Sequence, residues 1–284
     1  MSESAKRERH DGGPRDRDKP PLPPPLPSNV GDSHCHLDLM DDTVEEAIAE
    51  AAAVGIDRFV TIGIDVASSQ WCASVAESHP SIWAAAAIHP NEAPACTDED
   101  LRAIEAIAQL PHVRAVGETG LDHFRTGLVD HAKQEESFRA HIQIAKSTGK
   151  ALVIHDRDAH EDVLRVLLEE GAPELTVFHC FSGDAEMAKI CNERGYIMSF
   201  AGNITFKNAQ HLRDAVAVAS PELILVETDA PFLTPTPHRG KANAPYLIPL
   251  TLACMAQVRN TSLEDICVAI NATFTRAFAP LQPC

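Results

Sequence analysis

The sequence predicts an α/β chain folded as a TIM-type (β/α)8 barrel, and three observations carry that expectation. Eight short apolar runs alternate with longer amphipathic or Ala-rich stretches over about 250 residues, the usual size of such a barrel. Several of these runs ("FVTI", "ALVI", "LILV") are apolar without interruption, as expected of parallel strands buried on both faces. No G-x-G-x-x-G or Walker loop occurs anywhere, which disfavours an open doubly wound sheet with its Gly-rich phosphate turn.

In order, the strands are Asn29–His36, Arg58–Ile64, Ile82–His89, Val113–Glu118, Ala151–His155, Leu175–His179, Tyr196–Ala201 and Leu223–Asp229. Helical stretches fall between them near 43–54, 67–78, 98–109, 130–149, 158–170, 184–194 and 207–219. Two more follow the last strand, near 245–258 and 263–278. Ahead of the barrel, "KRERHDGGPRDRDKPPLPPPLPS" is charged, then Pro-rich, with little to bury. It reads as a disordered leader over 1–29 that ends in a polyproline-like arm, leaving 30–284 as one barrel domain.

With 44% hydrophobic and 23% charged residues, the composition is that of a soluble globular protein. No apolar run reaches the roughly 18 residues of a membrane span, so no membrane association is expected. "MSESAKRERHDGG" lacks the apolar core of a secretory signal. Cysteines at 35, 72, 96, 180, 191, 254, 267 and 284 form no C-x-x-C and read as free thiols of a reducing cytoplasm. In that compartment the N-x-[ST] matches at Asn203, Asn260 and Asn271 are coincidental. A formal net charge of −17 argues against a broad basic groove for duplex nucleic acid. It leaves room for a phosphate held locally by cations.

The polar residues gather at the strand ends. The first strand closes on "DSHCH", the third on "AIHP", the fourth on "GETGLD", the fifth on "VIHDRD", the sixth on "VFHCFSG" and the eighth on "VETDAPFLTP". Within "DSHCH", strand alternation puts His34 and His36 on one face and Cys35 on the other. One H-x-H means little alone, since chance supplies about one in a chain this rich in histidine. In a barrel, however, all strand carboxyl ends share the face that holds the active site. His34, His36, Glu118, His155, His179 and Asp229 therefore converge, and burying them together without a cation would strand several polar groups. Six N and O donors exceed what one open tetrahedral site needs and suit two divalent ions bridged by a carboxylate. Glu118 is the natural bridge. His34, His36 and Asp229 would complete one shell, and His155 and His179 the other. Nitrogen-rich ligation favours Zn, Mn, Co or Ni over Mg.

"DSHCHLD", "GETGLD", "HDRDAH", "FHCFSG" and "ETDAPFLTP" resemble the motifs of TatD-type metal-dependent hydrolases, the deoxyribonuclease-like members of the amidohydrolase-like barrels. The resemblance spans about residues 30–280 and leaves the leader uncovered. It implies a binuclear divalent-metal centre and hydrolysis of DNA phosphodiesters, including 3′-to-5′ exonuclease action. The family's ligand pattern carries onto His34, His36, Glu118, His155, His179 and Asp229. The sequence departs from many relatives at Thr119, where they carry a hydrophobe, with no consequence expected for ligation.

As a mechanism, Asp229 would accept the proton of the attacking water while Glu118 bridges the ions. Arg157 and Arg239 are candidate phosphate clamps, because a guanidinium forks two donors onto a phosphate. Lys207 and Lys241 read as surface ion pairs. His89 and Asn203, also at strand ends, are candidates for substrate contact or for support of the ligands. Cys180 beside His179 has no base placed for it. An amidohydrolase acting on a cyclic amide, lactone or acyl-ester is the alternative. Many such barrels bridge their metals with a carbamylated lysine at strand four, but that position is Glu118, and Lys150 falls at the wrong end. A non-catalytic binding barrel fits less well with six intact ligands. The few cations beyond the site point to DNA ends or single strands as substrate, with no obligate protein partner.

Overall fold

Parallel pairing explains why the apolar runs do not alternate. The computed structural model describes residues 19–279. Its strands are β1 (Val30–Cys35), β2 (Ile56–Ile62), β3 (Ile82–Ala86), β4 (Val113–Asp122), β5 (Ala151–Arg157), β6 (Thr176–Phe178), β7 (Ile197–Phe200) and β8 (Ile224–Val226). They form one eight-stranded sheet in chain order, each paired in parallel with the next. The ring closes through an isolated bridge between Cys35 and Ala230, with Asp229 N donating to His34 O at 2.9 Å and His36 N to Ala230 O at 2.8 Å. Asp32 bolts the same seam from inside: its buried carboxylate accepts from the backbone N–H groups of His34 and Thr228 and from the Thr228 hydroxyl.

The covering helices are α1 (Val44–Ala52), α2 (Val66–Ser78), α3 (Asp98–Ala108), α4 (Leu128–Thr148), α5 (His160–Glu170), α6 (Ala185–Arg194), α7 (Gln210–Val218), α8 (Ile248–Arg259) and α9 (Leu263–Phe278). Thr43, Asp65 and Thr97 start α1, α2 and α3 with reciprocal capping boxes, which satisfy N–H groups that a helix start leaves open. Gly149 and Gly195 end α4 and α6 in the left-handed conformation that glycine adopts freely. No helix among the described residues is long and apolar enough to cross a membrane.

Two strands carry an irregularity where they meet the mouth. Between Val116↔Leu152 and Thr119↔Ile154 the register of β4 against β5 slips, and between Asp32↔Phe59 and Cys35↔Thr61 that of β1 against β2 does the same. Such bulges re-aim side chains, and these two lie at Glu118 and at His34. After its slip β4 runs four residues beyond the expected end at Glu118, because Gly120, Leu121 and Asp122 find partners in His155, Asp156 and Arg157. A side chain at Gly120 would stand 2.1 Å from the carbonyl oxygen of His155, so only glycine permits this approach.

β5 likewise runs two residues beyond its expected end, to Arg157, whereas β3 and β8 stop short. β3 ends at Ala86 and not His89, whose N–H donates to Ile64 O in the loop after β2, and β8 covers only Ile224–Val226, the N–H groups of Glu227 and Asp229 donating singly to Phe200 O of β7 and His34 O of β1. The helix expected near 207–219 begins at Gln210, and the one near 245–258 divides into a 3-10 turn, Pro245–Leu247, and α8.

The leader needs correction over 19–29, residues 1–18 lying outside those described. Lys19 Nζ reaches Asp42 Oδ1 at 2.7 Å and Glu50 Oε1 at 2.9 Å, and the Tyr246 hydroxyl donates to Pro20 O at 2.8 Å. Leu26 is buried in the core and its N–H donates to Val54 O at 2.9 Å. Composition registers the scarcity of apolar residues here, but the partners that hold the arm lie on and either side of α1 and just before α8. Of the eight cysteines, Cys284 falls outside the described residues and the other seven are free thiols.

Candidate metal centre

Every side chain expected at the mouth arrives there from a strand end or the loop just after it. Glu118, buried on the β4 bulge, sits at the centre. Its Oε2 lies 2.7 Å from His179 Nε2, 3.5 Å from His34 Nε2 and 3.7 Å from His155 Nδ1. Its Oε1 lies 3.7 Å from His36 Nε2 and 3.8 Å from His89 Nε2. Asp229 Oδ1 approaches His36 Nε2 at 3.5 Å and His34 Nε2 at 3.8 Å. The His34 and His179 rings stack with centroids 3.8 Å apart. Cys35, as strand alternation requires, turns away and its thiol meets Val60 O at 3.6 Å.

The proton on each ring follows from what its other nitrogen touches. His36 Nδ1 lies 3.3 Å from the carbonyl of Ile62, which can only accept, so that nitrogen carries the proton and Nε2 presents a lone pair to the cluster. His179 Nδ1 faces Glu227 Oε1 at 3.3 Å and His155 Nε2 faces Asp122 Oδ2 at 3.1 Å, leaving His179 Nε2 and His155 Nδ1 as the inward donors. Carboxylates or carbonyls behind histidines are the usual means of orienting metal-binding imidazoles. His89 is the reverse case. Its Nδ1 accepts from Asn91 N at 3.0 Å, so Nε2 bears the hydrogen and points a donor, not a lone pair, toward Glu118. Although His89, Glu118 and His155 lie close enough to be a third ligand group, this tautomer makes His89 a hydrogen-bond donor to a carboxylate or a substrate oxygen.

Charge in the cluster is arranged to match. Burial alone would raise the Glu118 carboxyl, but the neighbouring histidines, His179 foremost, outweigh it and hold it well below the usual carboxylate range. Burial keeps His34 neutral, far below its ordinary value, and brings His89 down to about 3. His179 moves upward against its burial, because Glu118 and Glu227 flank it. Burial likewise opposes the ionised Asp122, yet its bonds from His155 and Arg125 bring it to about 2.

This donor set fits a divalent cation. Both ring nitrogens of His34 are buried without a hydrogen-bond partner, an arrangement that costs free energy unless something electrophilic meets a lone pair. Ligand atoms of His34, Glu118 and His179 lie within 4.8 Å of one another, as do those of His34, His36 and Asp229. Glu118 belongs to two such groups, with His34 and His179 and with His89 and His155, and His179 Nε2 also lies 3.4 Å from His155 Nδ1, so both of these rings stand beside Glu118 Oε2. Cation–carboxylate chemistry is available here; a thiol nucleophile is not, since burial pushes the Cys180 thiol well above its usual value.

The other candidates lie on the loops of the same face. Asn203, in the 3-10 turn Gly202–Thr205, directs Nδ2 toward Cys180 Sγ at 3.8 Å. The guanidinium of Arg157 lies 4.1 Å from the ring centre of Phe124, and that of Arg239 lies 3.9 Å from the ring centre of Phe206. Neither has a carboxylate within ion-pair distance among the described residues. Lys150 is at the far end of the barrel, where its ammonium bonds the carbonyls of Ala108 and Leu110. Three supporting carboxylates were missed from sequence: Asp32, Asp122 and Glu227. Each stands two or four residues from a candidate ligand within a quoted motif, so strand alternation applied one step further would have flagged them.

Comparison with known proteins points one way. A family model described as "TatD related DNase" matches residues 31–279. A metal-dependent hydrolase, TatD, of Mycobacterium tuberculosis is 42% identical over 255 residues, covering 87% of this chain and 97% of that one. The metal-dependent hydrolase YabD of Bacillus subtilis is 37% identical over 251 residues, covering 87% and 98%. Among solved structures, YJJV, a TatD homologue from Escherichia coli, superposes with a TM-score of 0.83 at 25% identity, over 88% of this chain and 97% of that one.

Proposed function

Because the chain belongs to the TatD-related family of metal-dependent hydrolases, we propose that it is a deoxyribonuclease with a binuclear centre, cleaving DNA phosphodiesters from strand ends. The observation that carries the reading is the convergence of five candidate ligands on the two oxygens or the immediate neighbourhood of Glu118. His34, His36 and Asp229 would hold one ion, and His155 and His179 the other, with Glu118 between them. Bound divalent cations supply Lewis acidity: they acidify water and offset charge growing on a phosphoryl oxygen.

The chain's own groups account for the rest. Asp229, partly open to the mouth, would accept the water's proton on its carboxylate, whose Oδ1 faces His34 and His36. His89 offers its Nε2 hydrogen to a non-bridging phosphate oxygen. Asp122 and Glu227 hold His155 and His179 in the tautomers that point lone pairs inward. Glu118 on β4, where the alternative calls for a carbamylated lysine, and Lys150 at the far end of the barrel support a phosphodiester over an amide, lactone or acyl-ester. Elemental analysis of the purified protein, alongside product mapping on a 3′-labelled oligonucleotide, tests the reading. Two equivalents of metal with stepwise nucleotide release supports it; metal without release from any strand overturns it.

A further inference from the structure

Asp229 stands on a turn beyond the end of β8, in a left-handed backbone that an aspartate keeps only where its surroundings hold it. One side of that turn is fastened to β1. Asp229 N donates to His34 O at 2.9 Å, and Asp32 accepts from Thr228 N at 3.0 Å and from the Thr228 hydroxyl. The other side is held by Asn243, from the far end of the same loop. Asn243 is 2% exposed, and its amide spends both hydrogens on the turn. Nδ2 donates to Thr228 O at 2.8 Å and to Phe232 O at 2.6 Å, carbonyls on either side of Asp229. Phe232 N in turn donates to Asp229 O at 2.8 Å. The backbone of Asn243 closes the neck of the loop, its N–H donating to Pro231 O at 3.2 Å, while Oδ1 accepts from Ala244 N at 3.0 Å.

We propose that Asn243 is the positioning residue of Asp229: its amide clasps the turn so that the carboxylate faces His34 and His36, and it acts on the centre only through that carboxylate. The inference rests on the reading of Asp229 as ligand and base, and adds the group that keeps it there. Asp229 Oδ1 lies 3.5 Å from His36 Nε2 and 3.8 Å from His34 Nε2, a placement that small rotations of the turn would undo. Ligands and catalytic groups have to be held to within about 0.5 Å, which a loop does poorly unless other side chains fix it. Two donors on one buried amide do this from the side that β1 does not reach. An apolar side chain at 243 would leave the Thr228 and Phe232 carbonyls without that donor and the turn held from one side only. Because the neck of the loop closes on the same residue, Asn243 joins the position of Asp229 to that of the loop carrying Arg239.

A double-mutant cycle between Asn243→Ala and Asp229→Asn in the full-length chain tests this, read by calorimetric titration of chelator-treated protein with Mn²⁺ and by turnover of an oligonucleotide. Alone, Asn243→Ala should weaken Mn²⁺ binding about 10- to 100-fold and lower kcat by a similar factor, with KM for the strand unchanged. In the Asp229→Asn background the same substitution should change either quantity by less than about twofold. Asn243→Asp, equal in shape but without the amide donors, should lose at least as much as Asn243→Ala. Circular dichroism verifies that each variant is folded; if Asn243→Ala is not, Asn243→Ser, which keeps one donor, enters the same cycle. An equal loss in both backgrounds, as from general damage to the fold, overturns the assignment, and so does wild-type behaviour of Asn243→Asp. The Mn²⁺ titration needs no cleavage. Coupled metal affinities without nucleotide release from the wild-type chain therefore overturn the nuclease reading alone, and additive losses beside normal wild-type release overturn the role of Asn243 alone.

Discussion

Asp122 Oδ2 lies 3.1 Å from His155 Nε2, and the other oxygen of the same carboxylate caps the loop that carries Phe124. One buried acid thus fixes the tautomer of a candidate ligand and the position of the loop after β4. Asp122→Ala should weaken metal affinity about 10- to 100-fold, and Asp122→Asn by less, because the amide oxygen can still accept. Titration of chelator-treated protein with Zn²⁺ or Mn²⁺ reads the effect. Unchanged affinity in the alanine variant would leave His155 without a role as ligand.

Asp229 adopts a left-handed backbone with φ 54°, a conformation that asparagine also tolerates. Asp229→Asn should therefore fold normally yet lose about 10²- to 10⁴-fold in turnover on an oligonucleotide, with strand affinity retained. Single-turnover kinetics beside anisotropy distinguish the two quantities. Near-normal turnover would remove Asp229 as the base.

Grip on the strand should depend only weakly on salt. With Arg157 and Arg239 as the main phosphate contacts, the slope of log affinity against log salt should lie between about −1 and −2. A slope several times steeper would mean a phosphate track elsewhere on the surface.

His141, on α4 and away from the mouth, is buried with both nitrogens used: Nδ1 donates to Ser137 O at 2.7 Å and Nε2 accepts from Ile88 N at 3.0 Å. Burial lowers its pKa from 6.5 to about 4, while the Ser137 bond opposes the shift. The unfolded chain therefore binds the extra proton first, and stability held above about pH 6.5 declines as pH falls toward 4. The loss is on the order of 3 kcal/mol. Urea unfolding of metal-free protein across that range measures it. His141→Gln should lessen the dependence, to which the buried His34 and His89 contribute in the same direction; an identical slope in the variant would assign all of it to other groups.

Much of this architecture can be read along the chain. Uninterrupted apolar runs such as 151–154 specify buried parallel strands, and motif acids and imidazoles at their ends specify a polar mouth. The pairing of His34 with His36 followed from local alternation even though the strand bulges there. By contrast, the seating of the Pro-rich arm depends on Asp42, Glu50 and Tyr246, which no local pattern connects to Lys19 and Pro20.

Sequence by itself determined the barrel, the face that carries the chemistry and the six side chains that meet on it, because strand period and parallel topology operate over short stretches and repeat. Tertiary structure alone decided which nitrogen of each imidazole faces inward. It also made His89 a donor while His36 offers a lone pair, and stacked Arg157 and Arg239 on aromatic rings. Those outcomes depend on hydrogen-bond partners and register slips contributed by other strands, and a proton's position on a ring is set by whatever group the fold brings to its opposite side.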